Sequence, residues 1–158
     1  MQIHIYSDGS YFEKNKMGGW GVVLFEATSS LHEISRLSGS KNNTCSLEME
    51  LTAANKALQS LEKTLKNNIN KVKQGYHITL FTDSRVLLEG LKQKIQSWRQ
   101  QNWIHKSGNP VKYQPLWESL ETLTNQYQVH WCWVKGHNGN LGNTIADQLA
   151  REATTATK

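Results

Sequence analysis

The period of the apolar residues changes along the chain, and each change marks an element. Ile3 and Ile5 alternate with His4 and Tyr6 before Asp8-Gly9-Ser10, the pattern of a half-buried strand running into a turn. That reading puts Asp8 at the carboxyl end of a strand. Gly18-Gly19-Trp20-Gly21-Val22-Val23-Leu24-Phe25 predicts a second strand entered through glycines, and residues 31–38 predict a third, so the chain opens as an antiparallel meander. From Leu47 the spacing becomes Leu47, Leu51, Ala54, Leu58, Leu61, Leu65, the stripe of an amphipathic helix. His77-Ile78-Thr79-Leu80-Phe81-Thr82 then predicts a strand ending at Asp83, which repeats the placement of Asp8. Residues 86–101 predict one or two helices, 102–115 a loop, 116–127 a helix and 128–134 a last strand. Residues 135–143 are too rich in glycine and asparagine to be regular. A terminal helix over 144–153 carries Asp147, with 154–158 expected to fray.

Strands alternating with helices define an α/β protein, and 158 residues fit one domain with a real core. No run approaches the roughly 18 apolar residues that span a bilayer, and the opening residues lack the basic start of a signal peptide. A cytoplasmic protein with no membrane partner is therefore expected, a monomer by default, and the initiating Met favours a standalone chain. Cys45 and Cys132 form no CxxC pair, so neither a disulfide framework nor a structural zinc site is indicated, and both read as reduced, packed thiols.

Charge sharpens the picture, because 18 Lys plus Arg against 13 acids give +5, a balance that suits a polyanion partner. Its placement says more than its sum. No acid lies between Glu62 and Asp83, where Lys63, Lys66, Lys71 and Lys73 fall, nor between Glu89 and Glu118, where Lys92, Lys94, Arg99, Lys106 and Lys112 fall. The second segment also holds Trp98 and Trp103. Cations interleaved with aromatic rings suit a nucleic-acid backbone, and the competing reading is a solvated helix with its tryptophans in the core.

The candidate chemistry lies in the acids. Asp8, Asp83 and Asp147 are the three aspartates of the chain, each beside a structural junction, and acids at neighbouring strand ends converge on one edge of an α/β sheet. On the first helix, Glu50 falls roughly 60° from the centre of the apolar stripe and Glu48 roughly 100° away on its other side, at about 100° per residue. Glu50 therefore borders the core, while Glu48 is expected to face water. Carboxylates crowded together without Lys or Arg between them repel one another unless cations neutralise them, and oxygen-only ligation points to Mg²⁺ or Mn²⁺. Acids plus a basic surface suggest metal-assisted phosphodiester chemistry.

Six motifs in order, Tyr6-Ser7-Asp8-Gly9-Ser10, Gly18-Gly19-Trp20-Gly21, Met49-Glu50-Leu51-Thr52-Ala53-Ala54, Thr82-Asp83-Ser84, Trp133-Val134-Lys135-Gly136-His137 and Ala146-Asp147-Gln148-Leu149-Ala150, resemble type 1 ribonuclease H of the bacterial kind. The resemblance spans nearly the whole chain. It implies a ribonuclease H-like fold, a five-stranded mixed sheet flanked by helices, over residues 1–153. It also implies an endonuclease that hydrolyses the RNA strand of RNA/DNA hybrids with two Mg²⁺ ions, Mn²⁺ being a possible substitute, and leaves 5′-phosphomonoesters. By the same resemblance Asp8 would bridge the ions, Glu50 and Asp83 would complete one site, Asp147 would ligate the second ion, and His137 would aid proton transfer or product release. Residues about 92–112 resemble the family's basic protrusion, with Lys92, Lys94, Trp98, Arg99, Trp103 and Lys106 toward the DNA strand. Asn143 would stand near the scissile phosphate, and Gly9, Ser10 and Ser84 near the RNA, whose 2′-hydroxyls distinguish it from DNA. Two stretches depart from the pattern, Glu13-Lys14-Asn15-Lys16 and Cys45-Ser46-Leu47-Glu48. The competing functions are a non-catalytic module binding hybrid or double-stranded RNA, and a DNA nuclease of the same fold. The retained acids argue against the first, since a binder has no need of mutually repelling carboxylates.

Overall fold

The computed structural model describes residues 2–66, 75–136 and 140–156. Its strands are β1 (Gln2–Phe12), β2 (Met17–Ala27), β3 (Leu31–Lys41), β4 (His77–Thr82) and β5 (His130–Trp133). They form one sheet in the order β3-β2-β1-β4-β5. The meander β1-β2-β3 is antiparallel, and β4 and β5 add in parallel, giving the expected mixed sheet.

The helices follow from the patterns that predict them. Helix α1 (Ser46–Lys66) buries Leu51, Ala54, Leu58, Leu61 and Leu65, the predicted stripe, against Ile3, Ile5, Val22 and Leu24 of the sheet. The 86–101 segment is three short pieces: α2 (Arg85–Glu89), a π-helical turn (Gly90–Lys94) and α3 (Ile95–Gln100). Helix α4 (Gln114–Tyr127) starts at a Pro in its first turn and packs Trp117 and Leu120 into the same core. Helix α5 (Leu141–Ala156) covers the opposite face of the sheet.

Close approach on that second face depends on two glycines of β2. A Cβ on Gly19 would lie 2.1 Å from Ala150 O, and one on Gly21 would lie 2.4 Å from Ala146 O. Any side chain at either position would push α5, with Asp147 on it, away from the sheet. Because Gly21 pairs directly with Asp8, the helix is held over the same face that Asp8 points to.

Several boundaries differ from expectation, those of β1 and α5 most relevantly for the acids. Strand β1 does not turn at Asp8 but continues to Phe12, because β2 goes on pairing with it through Met17. The parallel partner β4, however, stops opposite Tyr6, so Asp8 still lies just past the end of the parallel pair. Helix α5 starts at Leu141 and runs through Ala156, with Thr154 buried and donating to Ala150 O, which replaces fraying at 154–156 by helix. Among the described residues no helix is long and apolar enough to cross a membrane.

Candidate active site

Four acids approach one edge of the sheet from three directions. Asp8 comes from β1, Asp83 from the residue after β4, Glu50 from the first turns of α1 on one face, and Asp147 from α5 on the other. Asp8 is 6% exposed, and its Oδ1 accepts the Gly9 amide at 3.0 Å. Burial is the main reason its carboxyl is pushed up to about 9, followed by the charge of Asp83 and then by a hydrogen bond and charge from Asp147. Burial also raises Glu50; a hydrogen bond from Ser84 opposes the shift, and the nearby charge of Asp83 adds to it.

Local chemistry holds Glu50 in place. Ser84 Oγ donates to Glu50 Oε2 at 2.5 Å while accepting the Leu87 amide as the N-cap of α2, so one hydroxyl ties the helix cap to the acid. Ser46 Oγ donates to Glu50 Oε1 at 3.3 Å. Of the two glutamates it is Glu50 that has Asp83 beside it, and the expectation that Glu48 faces water is corrected. The Glu48 side chain is 13% exposed, accepting from Lys41 Nζ at 2.5 Å and Thr44 Oγ1 at 2.6 Å, so it turns toward β3 and away from the acidic edge.

Gly9 fixes how close α1 can come. A Cβ there would lie 2.7 Å from Glu50 N and 2.8 Å from Met49 C, both backbone atoms that cannot move without shifting the helix start. Gly9→Ala is expected to displace Glu50, lowering turnover at least about tenfold and thermal stability by about 1–3 kcal/mol. Steady-state rates and a melting curve check this, and unchanged values in both would show that the helix can yield.

Two further contacts frame Asp83. Its carbonyl accepts Trp133 Nε1 at 3.3 Å, and a Cβ on Gly136 would lie 3.0 Å from its Oδ2. The segment leading toward His137 therefore passes against the acid, while His137 itself lies outside the described residues. The Arg85 guanidinium sits 4.4 Å above the Trp133 ring. Trp133 opens one of the six motifs but has no role assigned from sequence, and Arg85 is not among the sequence candidates, although a cation two residues after Asp83 was there to be noticed.

The acids can accommodate cations, though not as they stand. Among the described residues no group of three His, Cys, Asp or Glu side chains is placed to hold a metal ion. Asp8 interacts instead with Asp147 and Asp83, Glu50 accepts from Ser84, and the Arg151 guanidinium donates to Asp147 Oδ2. The condition that no Lys or Arg stands among the carboxylates is thus not met at Asp147. A buried carboxyl raised to about 9 keeps its proton at neutral pH, and a hard divalent cation would take that proton's place. An all-oxygen donor set fits such an ion.

The remaining candidates divide. Gly9 and Ser10 flank Asp8 and are partly exposed, and Ser84 touches Glu50. Asn143 is 4% exposed and lies in the first turn of α5, not in a loop; its amide donates to Asn140 Oδ1 at 3.1 Å. Lys92, Lys94 and Lys106 are exposed, whereas the exposed Arg99 donates to Glu121 of α4. Trp103 is corrected as a contact to nucleic acid: it is 6% exposed, packed against Trp98, which is itself partly buried edge-on against Trp117. These rings are core, and the cations beside them lie outside it.

The comparisons with known proteins agree with one another. The family model for RNase H matches residues 1–155. Ribonuclease H of Francisella tularensis subsp. novicida is 37% identical over 153 residues, 96% of this chain and 90% of that protein. Among solved structures, LC9-RNase H1, described as a type 1 RNase H with the type 2 active-site motif, superposes with a TM-score of 0.79 at 25% identity, over 99% of this chain and 74% of its own. A foamy viral protease-reverse transcriptase in complex with RNA/DNA hybrid shares the fold, with a TM-score of 0.77 at 16% identity over 98% of this chain and 20% of that one. The chain belongs to the RNase H family, and within it resembles the type 1 proteins. The enzyme class follows: it is a ribonuclease H, and this family generally uses divalent metal ions.

Proposed function

We propose that this chain hydrolyses the RNA strand of RNA/DNA hybrids at the edge where Asp8, Glu50, Asp83 and Asp147 converge, these four acids holding two divalent ions. The observation that carries the reading is placement: Asp8 lies buried just past the end of the paired parallel strands with Asp83 and Asp147 beside it, and Asp83 in turn lies beside Glu50. Mg²⁺ is the cation such hard oxygens select, with Mn²⁺ as a substitute, and when bound such ions stabilise charge on the attacking and leaving oxygens of a phosphodiester.

The protein's own groups supply the rest. Asp8, which has both Asp83 and Asp147 beside it, would serve both ions, with Glu50 and Asp83 holding one and Asp147 the other. Ser84 fixes the orientation of Glu50 and so keeps an acceptor aimed at the attacking water. His137 would pass a proton toward the leaving oxygen. Gly9 and Ser10 would offer groups to RNA 2′-hydroxyls, Ser84 would contact the nucleic acid, Asn143 would stand near the scissile phosphate, and Lys92, Lys94, Arg99 and Lys106 would neutralise the DNA strand. Residues 1–153 would act as one ribonuclease H domain, monomeric and cytoplasmic.

Labelled RNA/DNA hybrid, duplex DNA and duplex RNA are each incubated with the protein in Mg²⁺ or in EDTA. The expected result is loss of the hybrid's RNA alone, with 5′-phosphate ends, in Mg²⁺ and not in EDTA. Cleavage that survives EDTA, or that consumes duplex DNA equally, overturns the reading.

A further inference from the structure

Among the described residues a cation, Arg151, is paired with one of the acids of this edge, and the proposed function gives it no task. Arg151 follows Asp147 by one turn of α5, and its guanidinium donates to Asp147 Oδ2. Asp147 also lies within hydrogen-bonding range of the Asp8 carboxyl. Asp147 therefore interacts with both a buried acid and an arginine, its side chain 18% exposed while that of Arg151 is 63% exposed.

An ordinary ion pair at this helical spacing joins two solvated groups and adds a few tenths of a kcal/mol to the helix. This pair differs because one partner is largely withdrawn from water and touches another carboxyl. We propose that Arg151 is the counter-ion of Asp147 while the edge is free of metal, and that by competing for that carboxylate it sets the affinity of the site for divalent cations. The inference rests on Asp147 being a ligand. Arg151 is a positioning residue: it touches neither substrate nor reacting atoms, and acts through Asp147.

The competition has a definite sign. With no cation bound, a fixed positive charge at Asp147 offsets part of the repulsion among the acids. When a dication enters, Arg151 must either release Oδ2 or remain beside a doubly positive ion, and both weaken binding. Release is easy, because a guanidinium that exposed can turn into water on its own flexible stem. Removing the charge while keeping the length of the side chain should therefore tighten cation binding.

The test titrates Mn²⁺ alone into the metal-free full chain and reads free Mn²⁺ by electron paramagnetic resonance, with circular dichroism to confirm folding. Arg151→Gln is expected to bind Mn²⁺ about fivefold more tightly, and Arg151→Lys, which keeps the charge, to stay within about twofold of the parent. Arg151→Ala, with a better helix former at an exposed site, repeats the measurement should the Gln variant misfold. Asp147→Asn is expected to weaken binding. Unchanged or weaker binding in Arg151→Gln alongside weakened binding in Asp147→Asn overturns the role of Arg151 and leaves Asp147 a ligand. Unchanged binding in Asp147→Asn removes the ligand reading itself, and the inference with it.

Discussion

Asp8→Asn is expected to abolish hybrid cleavage, by at least about a thousandfold, and at the same time to make the metal-free protein more stable. The two effects have one cause. Asp8 is 6% exposed, and its carboxyl is pushed up to about 9 by burial and by the charges of Asp83 and Asp147. A carboxyl with a raised folded value binds its proton more tightly in the native chain than in the unfolded one. Its contribution to stability is therefore full below the ordinary carboxylate range, about 4, and is lost progressively as pH rises toward about 9. At neutral pH the native state must hold a proton that solution would remove, or else tolerate the charge.

Asparagine has the same shape, carries no charge and can still donate a hydrogen bond to Asp147, so the penalty disappears. The melting temperature of metal-free Asp8→Asn at pH 7 should exceed that of the parent by about 2–6 °C. The gap should widen from pH 5 to pH 8.5 and narrow when Mg²⁺ is added to the parent. Calorimetry across that range, beside a cleavage assay, checks both halves. A variant that keeps a tenth of the parent's turnover removes Asp8 from the chemistry; one that melts lower at every pH shows that its carboxyl is a stabilising group.

What could be read from the sequence here is what depends on local periodicity. The steps of four and three from Leu47 to Leu65 gave α1 its buried face and separated Glu50 from Glu48, and both acids lie where two different neighbours can hold them. Those neighbours were not legible. Lys41 and Thr44 reach Glu48 because β3 runs three residues past its expected end, and that length is set by pairing with β2. Strand β1 likewise continues beyond Asp8 because of a partner strand, although Gly9-Ser10 is a common turn sequence. The start of α5 was hidden by composition. Asn140 sits in a tract that looks irregular, yet its side chain accepts the Asn143 amide and its carbonyl the Thr144 hydroxyl, the contacts of a helix beginning. Arg151 was within reach, one turn from Asp147, but a charged pair at that spacing says nothing of burial until the sheet beneath it is known.

The tryptophans near the basic segment show the same limit, and they carry the second large effect. Trp103→Ala should cost about 3–5 kcal/mol of folding stability, lowering the melting temperature by roughly 10 °C or more. Rings spaced among lysines look alike in sequence whether they stack on bases or on each other. Here Trp103 stands 5.9 Å from Trp98, and Trp98 meets Trp117 edge-on at 5.2 Å, so the three join the basic segment to the core. The backbone reinforces the join: the Trp103 amide donates to Trp98 O at 2.7 Å, and its carbonyl accepts the Val111 amide at 2.9 Å. Losing the ring leaves a cavity at the point where the segment turns back on itself.

Hybrid affinity should follow stability and not the ring. Below the melting range, Trp103→Ala should bind hybrid within a few-fold of the parent, because a side chain 6% exposed offers no face to a base. Lys106→Ala should behave in the opposite way, leaving the melting temperature unchanged while reducing the dependence of binding on salt by about one ion. Melting curves and filter binding at two salt concentrations separate the two variants. A Trp103→Ala protein that melts with its parent but loses hybrid affinity would mean that the ring turns outward to meet the substrate, and that the packing against Trp98 is not what holds this arm.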